Sequence, residues 1–422
     1  MGIKCIITRR VGMLDFNYYV RTDVRFGKGQ IKSLKELVAK YNRQALGQLG
    51  EIKELEKPNV LLVYGGGSIK KNGIYNDAME ALQGCKVCEL NGIEPNPKIE
   101  KIREGAKLCK ENDIDIVVAI GGGSVIDTSK VVAAGAYYDG DPWDMVLDSN
   151  KIGKVLPVIA ILTIAATGSE CNKNAVVSNM ETNEKLGTSS KEFIPRAAIC
   201  DPTYLFSLPA IQTAAGTADI MSHTFEQYFR KDTGAYLTQS FCESILKTCI
   251  KYCPVALQEP DNYEARANLM WASTTALNSL MSCGTGGAWT CHPIEHELSA
   301  YYDITHGVGL AIVTPRWMRY ILNKDTVLKF AQYGHNVWNI RGELDSIDGL
   351  SKGELSIIAN EAIDRTEMFF RACGIPMTLT EIGIDDSKID LMAEDTIKYN
   401  DLSNAFVPLT KEDISKILRM CL

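Results

Sequence analysis

Two segments of the chain carry an unbroken apolar run straight into three glycines and a serine. In NVLLVYGGGSIKKNG the run ends at Gly65, Gly66, Gly67 and Ser68; in DIVVAIGGGSVIDTSK it ends at Gly121, Gly122, Gly123 and Ser124. A Val/Ile/Leu run without polar alternation reads as a strand covered on both faces, and such strands belong to parallel sheets layered with helices. The pattern extends through the first half. Strand-like runs at Val60–Tyr64, Ile116–Ile120 and Val158–Leu162 are interleaved with helical patterns at Tyr75–Leu82, Lys98–Glu111 and Val125–Ala134. This predicts an N-terminal α/β domain with a parallel, Rossmann-like sheet over residues 1–202.

Beyond Asp201 the character changes. Long helical patterns follow one another at Ala210–Phe229, Leu237–Ala256, Tyr263–Ser282 and Ser356–Ala372, with no convincing strand between them. We expect an all-α C-terminal domain over residues 203–422, with the turn-rich DPTYLFSLP (Asp201–Pro209) as the boundary. The lysine- and glutamate-rich stretch Lys32–Lys57 reads as a solvated helix with an extended connection.

Composition narrows the partners. The net charge of -7 gives no electrostatic reason to expect nucleic acid or an anionic membrane. The start, MGIKCIITRRVGML, lacks a long apolar core and a small-residue cleavage site, and we expect no signal peptide. The richest apolar stretch, Val155–Ala166, is shorter than the roughly 18 residues of a membrane span. Thirteen scattered cysteines suit reduced thiols and a cytoplasmic setting. Cys85 and Cys88 form a C-x-x-C, but CKVCEL reads as a strand, where residues three apart point to opposite faces. That favours buried thiols over a redox pair or a zinc knuckle.

A strand that ends in glycines and enters a helix lets backbone approach a phosphate, with free N–H groups and the positive dipole end beyond. Strand-to-helix turns also need glycine for geometry alone. Two such loops in one α/β domain suit a dinucleotide, which has a pyrophosphate and an adenosine end to hold. Neither loop matches G-x-G-x-x-G. An NAD site commonly presents a carboxylate to the ribose 2′-hydroxyl, whereas an NADP site needs donors for a 2′-phosphate. Ser68, Lys70 and Lys71 follow the first loop with no acid until Asp77, which points to NADP(H).

Four of the five histidines fall in two short segments. In GTADIMSHTFEQYF, Asp219 and His223 are four apart in a helical pattern and share a face. In WTCHPIEHELSAYYDITHG, His292 and His296 have the same spacing, and His306 follows beyond a turn expected at Tyr302–Thr305. A carboxylate with three imidazoles makes a ligand set for Fe²⁺ or Zn²⁺ rather than for the oxygen-seeking Ca²⁺ or Mg²⁺. Each residue has a plainer reading, since a lone helical His is often a hydrogen-bonded core residue and an Asp one turn earlier its partner. Spacing alone leaves open which of His292, His296 and His306 bind. HPIEH also fits H-x-x-E-H, a zinc-peptidase pattern with Glu295 as general base. That reading leaves the glycine loops and the Asp219/His223 pair unexplained. His335 has no acidic or histidine neighbour and reads as structural.

The motifs VYGGGSIKKNGIY, GIEPNP, AIGGGSVIDTSK, LTIAATGSECN, AAGTADIMSHTFEQY, ARANLMWAS and HPIEHELSAYYDITHGVGLA together resemble the iron-containing (group III) alcohol dehydrogenases, within them the NADP-dependent butanol dehydrogenases. The resemblance runs over nearly the whole chain. It implies a dinucleotide-binding α/β domain, an all-helical metal-binding domain and an active site in the cleft between them. It places the metal on Asp219, His223, His292 and His306, and His296 beside the nicotinamide as a catalytic proton relay. It directs Gly66 and Ser68, with Gly67 between them, to the adenosine 2′-phosphate. Gly122, Gly123, Ser124 and Asp127 follow the pyrophosphate and nicotinamide ribose; Thr163, Thr167 and Asn172 line the nicotinamide end, with Lys185 at its ribose. NAD-using members carry Asp where this chain has Ser68.

The activity so implied is exchange of hydride between NADP(H) and a small primary alcohol or aldehyde, with Trp289 and apolar neighbours shaping a short aliphatic pocket. The resemblance also suggests a homodimer built through N-terminal strands around Phe16–Gly29. Three other readings stay open. A dehydroquinate-synthase-like lyase would keep the fold and need several basic residues for a phosphorylated substrate. A zinc peptidase would need no nucleotide, and a non-catalytic binding protein would bind the cofactor without turnover.

Overall fold

A computed structural model describes residues 12–44, 57–231 and 233–422. The chain start and residues 45–56 of the Lys32–Lys57 stretch lie outside the described residues; within that stretch α1 spans Leu34–Tyr41.

The apolar runs form the centre of one six-stranded, wholly parallel sheet. Its strands are β1 (Asp23–Phe26), β2 (Asn59–Tyr64), β3 (Lys86–Leu90), β4 (Ile116–Gly121), β5 (Val158–Leu162) and β8 (Ala197–Cys200), in the order β1-β8-β5-β4-β2-β3. Neighbouring registers such as Val60↔Ile116 and Val118↔Ile159 bring like residues side by side. Because side chains alternate across a strand, the two faces feed two cores. Leu61, Val63, Val117, Ala119 and Ala160 pack on one face, against α3 (Ile99–Glu111) and α4 (Gly123–Gly135). Val60, Leu62, Ile116, Val118 and Ile159 pack on the other, with α1 and α2 (Ile74–Ala81). Burial on both faces is why these strands show no polar alternation. Cys85 and Cys88 join opposite faces, half-buried and unpaired with each other.

Three strands were not legible as such: β8, which is four residues long, and β6 (Asn174–Asn179) and β7 (Glu184–Ser189), which form a separate antiparallel hairpin. The expected N-terminal strand region Phe16–Gly29 contains only β1, which runs along the sheet edge beside β8.

The second half is helical. It contains α5 (Ala210–Tyr228), α6 (Tyr236–Gln258), α7 (Tyr263–Ala276), α8 (Cys291–Tyr302), α9 (His306–Ile321), α10 (Val327–Trp338), α11 (Lys352–Ala372), α12 (Ile389–Tyr399) and α13 (Lys411–Met420). The helix expected over Tyr263–Ser282 stops at Ala276; Ser279 takes a left-handed φ of 74° and a separate 3-10 turn follows at Leu280–Ser282. Every residue of α5 from Thr213 to Tyr228 is buried, which makes it the axis of the helical core. Among the described residues no helix is long and apolar enough to cross a membrane.

Candidate active site

The sheet places its three useful loops side by side. β2, β4 and β5 are adjacent and parallel, so Gly65–Ser68, Gly121–Ser124 and Thr163–Thr167 all leave from the same edge, the carboxyl ends where α/β sheets receive ligands. The two glycine loops are not equivalent. The second opens the thirteen-residue α4, whereas the first opens only a single turn, Ser68–Lys71. The helix-dipole argument therefore holds for the second loop and not for the first. Gly67 has φ 100°, a conformation other residues strain to adopt. At Gly123 a Cβ would stand 2.4 Å from Thr167 Cγ2, so glycine is what allows the β5 loop to lie against the second glycine loop.

Two cavities meet along this edge. One of about 250 Å³ is lined by Gly67, Ser68, Gly122, Thr163 and Asp219. Another of about 500 Å³ is lined by Asp127, Asn172, Lys185, His223, His292 and His296. Gly123, Ser124, Thr167 and His306 border both, so one cleft runs from the first glycine loop to the histidines. Gly66 is exposed at its rim and lines neither cavity. Trp289 and Leu277 wall the larger cavity, the Trp289 ring 4.8 Å from that of His292.

Three elements supply the histidine end. Helical spacing puts Asp219, His223 and Glu226 on one face of α5. Pro293 sits in the first turn of α8, directly after His292. The chain turns at Asp303, with φ 50°, and α9 begins at His306. Around Asp219 Oδ1 stand His223 Nδ1 at 3.5 Å, His292 Nε2 at 3.6 Å and His306 Nε2 at 3.7 Å. Asp219 Oδ1, His223 Nδ1 and His292 Nε2 are buried and have no hydrogen-bond partner. Buried polar atoms are ordinarily paired, and orphans that converge on one point call for an ion. Two donors on a tetrahedral ion with bonds of about 2.1 Å stand roughly 3.4 Å apart, close to these separations. The residues present therefore fit a divalent metal.

Carboxylates behind the imidazoles orient them, as is usual for metal-binding histidines. Glu226 Oε1 pairs with His292 Nδ1 at 2.8 Å and accepts the His292 backbone N–H at 2.7 Å. Glu295 contacts His306 Nδ1 and accepts the Ser299 hydroxyl, and Lys185 Nζ lies 3.4 Å from both Glu295 Oε2 and His306 Nδ1. Glu295 is completely buried and its oxygens are spent in this way, which removes it as a general base for an H-x-x-E-H peptidase. His296 makes no hydrogen bond among the described residues; its ring faces those of His306 at 5.6 Å and His292 at 6.3 Å.

Charge in the cluster follows burial and neighbours. Burial works to raise the Asp219 carboxyl, but His223, His292 and His306 outweigh it and hold the group well below its ordinary range. Burial lowers His223 to about 3 despite Asp219. Burial also opposes protonation of His292, yet Asp219 and Glu226 raise it to about 9. His296 is driven well below its usual value by burial, then by Lys185 and the other imidazoles. With Asp219 ionised, a divalent ion at this point would take the place of the proton that His292 otherwise holds between Asp219 and Glu226.

Several site residues escaped the sequence reading. Glu226 was within reach, one helical turn after His223. Glu94 and Glu89 were not. Glu94 lines the smaller cavity with Ser68, so an acid other than Asp77 borders the cleft beside the first loop. Glu89 is occupied by the Tyr64 and Tyr75 hydroxyls at 2.5 and 2.8 Å. Lys70 rests over the rings of those same tyrosines, at 5.1 and 4.6 Å.

Comparison with known proteins decides the family. Residues 42–202 match "Iron-containing alcohol dehydrogenase" and residues 213–422 match "Fe-containing alcohol dehydrogenase family, C-terminal". The chain belongs to the iron-containing alcohol dehydrogenases. It is an alcohol dehydrogenase or aldehyde reductase of that family and works with a nicotinamide cofactor. It is 51% identical over 410 residues to the NADH-dependent butanol dehydrogenase A of Clostridium acetobutylicum, covering 96% of this chain and 99% of the relative. It is 38% identical over 382 residues to the NADPH-dependent aldehyde reductase YqhD of Escherichia coli, covering 89% and 91%. The crystal structure of NADH-dependent butanol dehydrogenase A from Thermotoga maritima superposes with a TM-score of 0.87 at 36% identity, covering 97% of this chain and 99% of that one.

Proposed function

We propose that this enzyme interconverts short, butanol-like primary alcohols and their aldehydes with NADP(H), using Fe²⁺ or Zn²⁺ held by Asp219, His223, His292 and His306. The observation that carries the proposal is the set of orphaned donors on Asp219, His223 and His292, facing a cleft that continues to both glycine loops. A divalent ion there would supply Lewis-acid polarisation of the substrate oxygen, and the nicotinamide would supply or receive the hydride. The protein's own task is placement. Glu226 and Glu295 fix the imidazoles, and the α4 N-terminus offers N–H groups to a pyrophosphate. His296, on the cavity wall, is positioned to pass the proton. Trp289 and Leu277 offer an apolar wall for a short chain.

Among the described residues that line the two cavities Lys185 is the lone lysine or arginine, and it is engaged by Glu295. That supports a small uncharged substrate over the phosphorylated substrate of a lyase. Ser68 supports NADP(H): it is exposed at the first loop, as are Lys70 and Lys71. The test is anaerobic NADPH consumption with butyraldehyde, on protein loaded with Fe²⁺ or Zn²⁺, with NADH alongside. We expect metal-dependent oxidation that favours NADPH. Absence of turnover with both metals and both cofactors, from protein that binds them, would overturn the proposal.

A companion expectation concerns Glu226. Glu226→Ala removes the partner of His292 Nδ1 and should weaken metal affinity by about 10–100-fold, read by competition with a chelator. Unchanged affinity would show that His292 is oriented without it.

A further inference from the structure

Lys130 is a completely buried lysine that lines neither cavity. An ammonium has three donors and accepts nothing. Here they go to Ser169 Oγ at 2.7 Å, Asn172 Oδ1 at 3.0 Å and the Asn174 carbonyl at 2.7 Å, while Asp127 Oδ1 stands 3.9 Å away. All four of these residues line the larger cavity. Lys130 lies behind them, on α4, where the second glycine loop leads.

Because lysine can only donate, it settles the hydrogen-bond directions of its neighbours. Asn172 must turn Oδ1 toward it, which sends Nδ2 the other way; one Nδ2 hydrogen goes to the Thr167 carbonyl at 3.2 Å. The second amide hydrogen is left for whatever occupies the cavity. Ser169 must accept from Lys130, so its own proton goes to Asp127 Oδ1 at 2.5 Å. The other Asp127 oxygen takes the Val176 N–H at 3.0 Å. One buried cation thus ties α4, the β5 loop and the β6–β7 hairpin together.

We propose that Lys130 is a positioning residue for the nicotinamide end of the cofactor, acting through the orientation of Asn172 and the Ser169–Asp127 pair. The inference rests on the proposed dinucleotide site and specifies what holds one end of it. A bystander lysine would contribute to stability alone. A positioning lysine sets the donor that Asn172 presents, and its loss should alter cofactor binding in protein that is still folded.

The experiment compares the metal-loaded wild type with Lys130→Met, Asn172→Ala and the double variant, reading KM for NADPH, kcat, metal content and circular dichroism. Lys130→Met should raise KM for NADPH at least tenfold with metal content unchanged. In the Asn172→Ala background the same substitution should have at most a small further effect, since coupled residues are non-additive. An unchanged KM, or a rise equally large in both backgrounds, would overturn the inference. Should Lys130→Met not fold, Ser169→Ala serves instead: it removes one acceptor and the donor to Asp127, and should raise KM several-fold. An unchanged KM there would also overturn it. A wild type that neither binds nor oxidises NADPH would instead refute the functional proposal, so the two failures are distinguishable.

Discussion

His292→Ala is expected to purify without bound metal and to lose at least about a thousandfold in kcat/KM, whereas His296→Ala keeps its metal and loses roughly a hundredfold in kcat. The two histidines are one turn apart on α8, yet their surroundings differ. His292 sends Nε2 toward Asp219 Oδ1 while Nδ1 is held by Glu226, the arrangement that fixes a ligand imidazole. Removing it takes a donor from the ion and leaves Glu226 buried without its ring partner. Loss of about 4 kcal/mol of transition-state stabilisation corresponds to roughly a thousandfold in rate. Among the described residues no carboxylate is hydrogen-bonded to His296; Glu295 is committed to His306, Ser299 and Lys185. A proton relay contributes about 10²–10⁴-fold, and water in the vacated space would recover part of it. Metal analysis beside steady-state rates checks both variants. Metal retained in His292→Ala, or lost from His296→Ala, would reverse the two assignments.

These assignments show where a sequence speaks and where it stops. The three central strands were legible to within a residue because burial on both faces leaves an unmistakable apolar run. β8 was not, because AAIC is four residues long, and the β6–β7 hairpin was not, because NAVVSN and EKLGTS mix polar and apolar residues. A turn signal lay between those two strands: Asn183 sits in the left-handed region at φ 52°, where asparagine is tolerated. At the site, helical spacing paired Asp219 with His223 and His292 with His296. It could not show that His306, rather than His296, faces Asp219, because that depends on how α5, α8 and α9 cross. Lys130 was hidden for another reason. Lysines are rarely fully buried, and nothing local distinguishes one whose hydrogen-bond acceptors lie about forty residues away.

Ser68→Asp should exchange cofactor preference, lowering kcat/KM with NADPH by about a hundredfold while leaving NADH use unchanged or improved. The serine is exposed at the mouth of the smaller cavity, directly after Gly67. In an NADP(H) complex its hydroxyl would serve the 2′-phosphate, with the exposed Lys70 and Lys71 adding positive potential. A carboxylate in its place would meet that phosphate as a like charge. At about 4 Å and an effective dielectric near 20 the repulsion is roughly 4 kcal/mol. Exposure to water and salt reduces it to about 2–3 kcal/mol, which is on the order of a hundredfold. NADH has a 2′-hydroxyl there, and the same carboxylate can accept its hydrogen bond. Glu94 tests the argument from the other side. It lines the same cavity, so if a nearby acid were enough to exclude a 2′-phosphate, the wild type would already prefer NADH. Its side chain is exposed, where solvent screens it, and the residue in contact should dominate. Initial rates with both cofactors across a salt series separate these cases. A salt-sensitive loss of NADPH use in Ser68→Asp assigns the 2′-phosphate to the first glycine loop; equal behaviour of variant and wild type with both cofactors places it elsewhere.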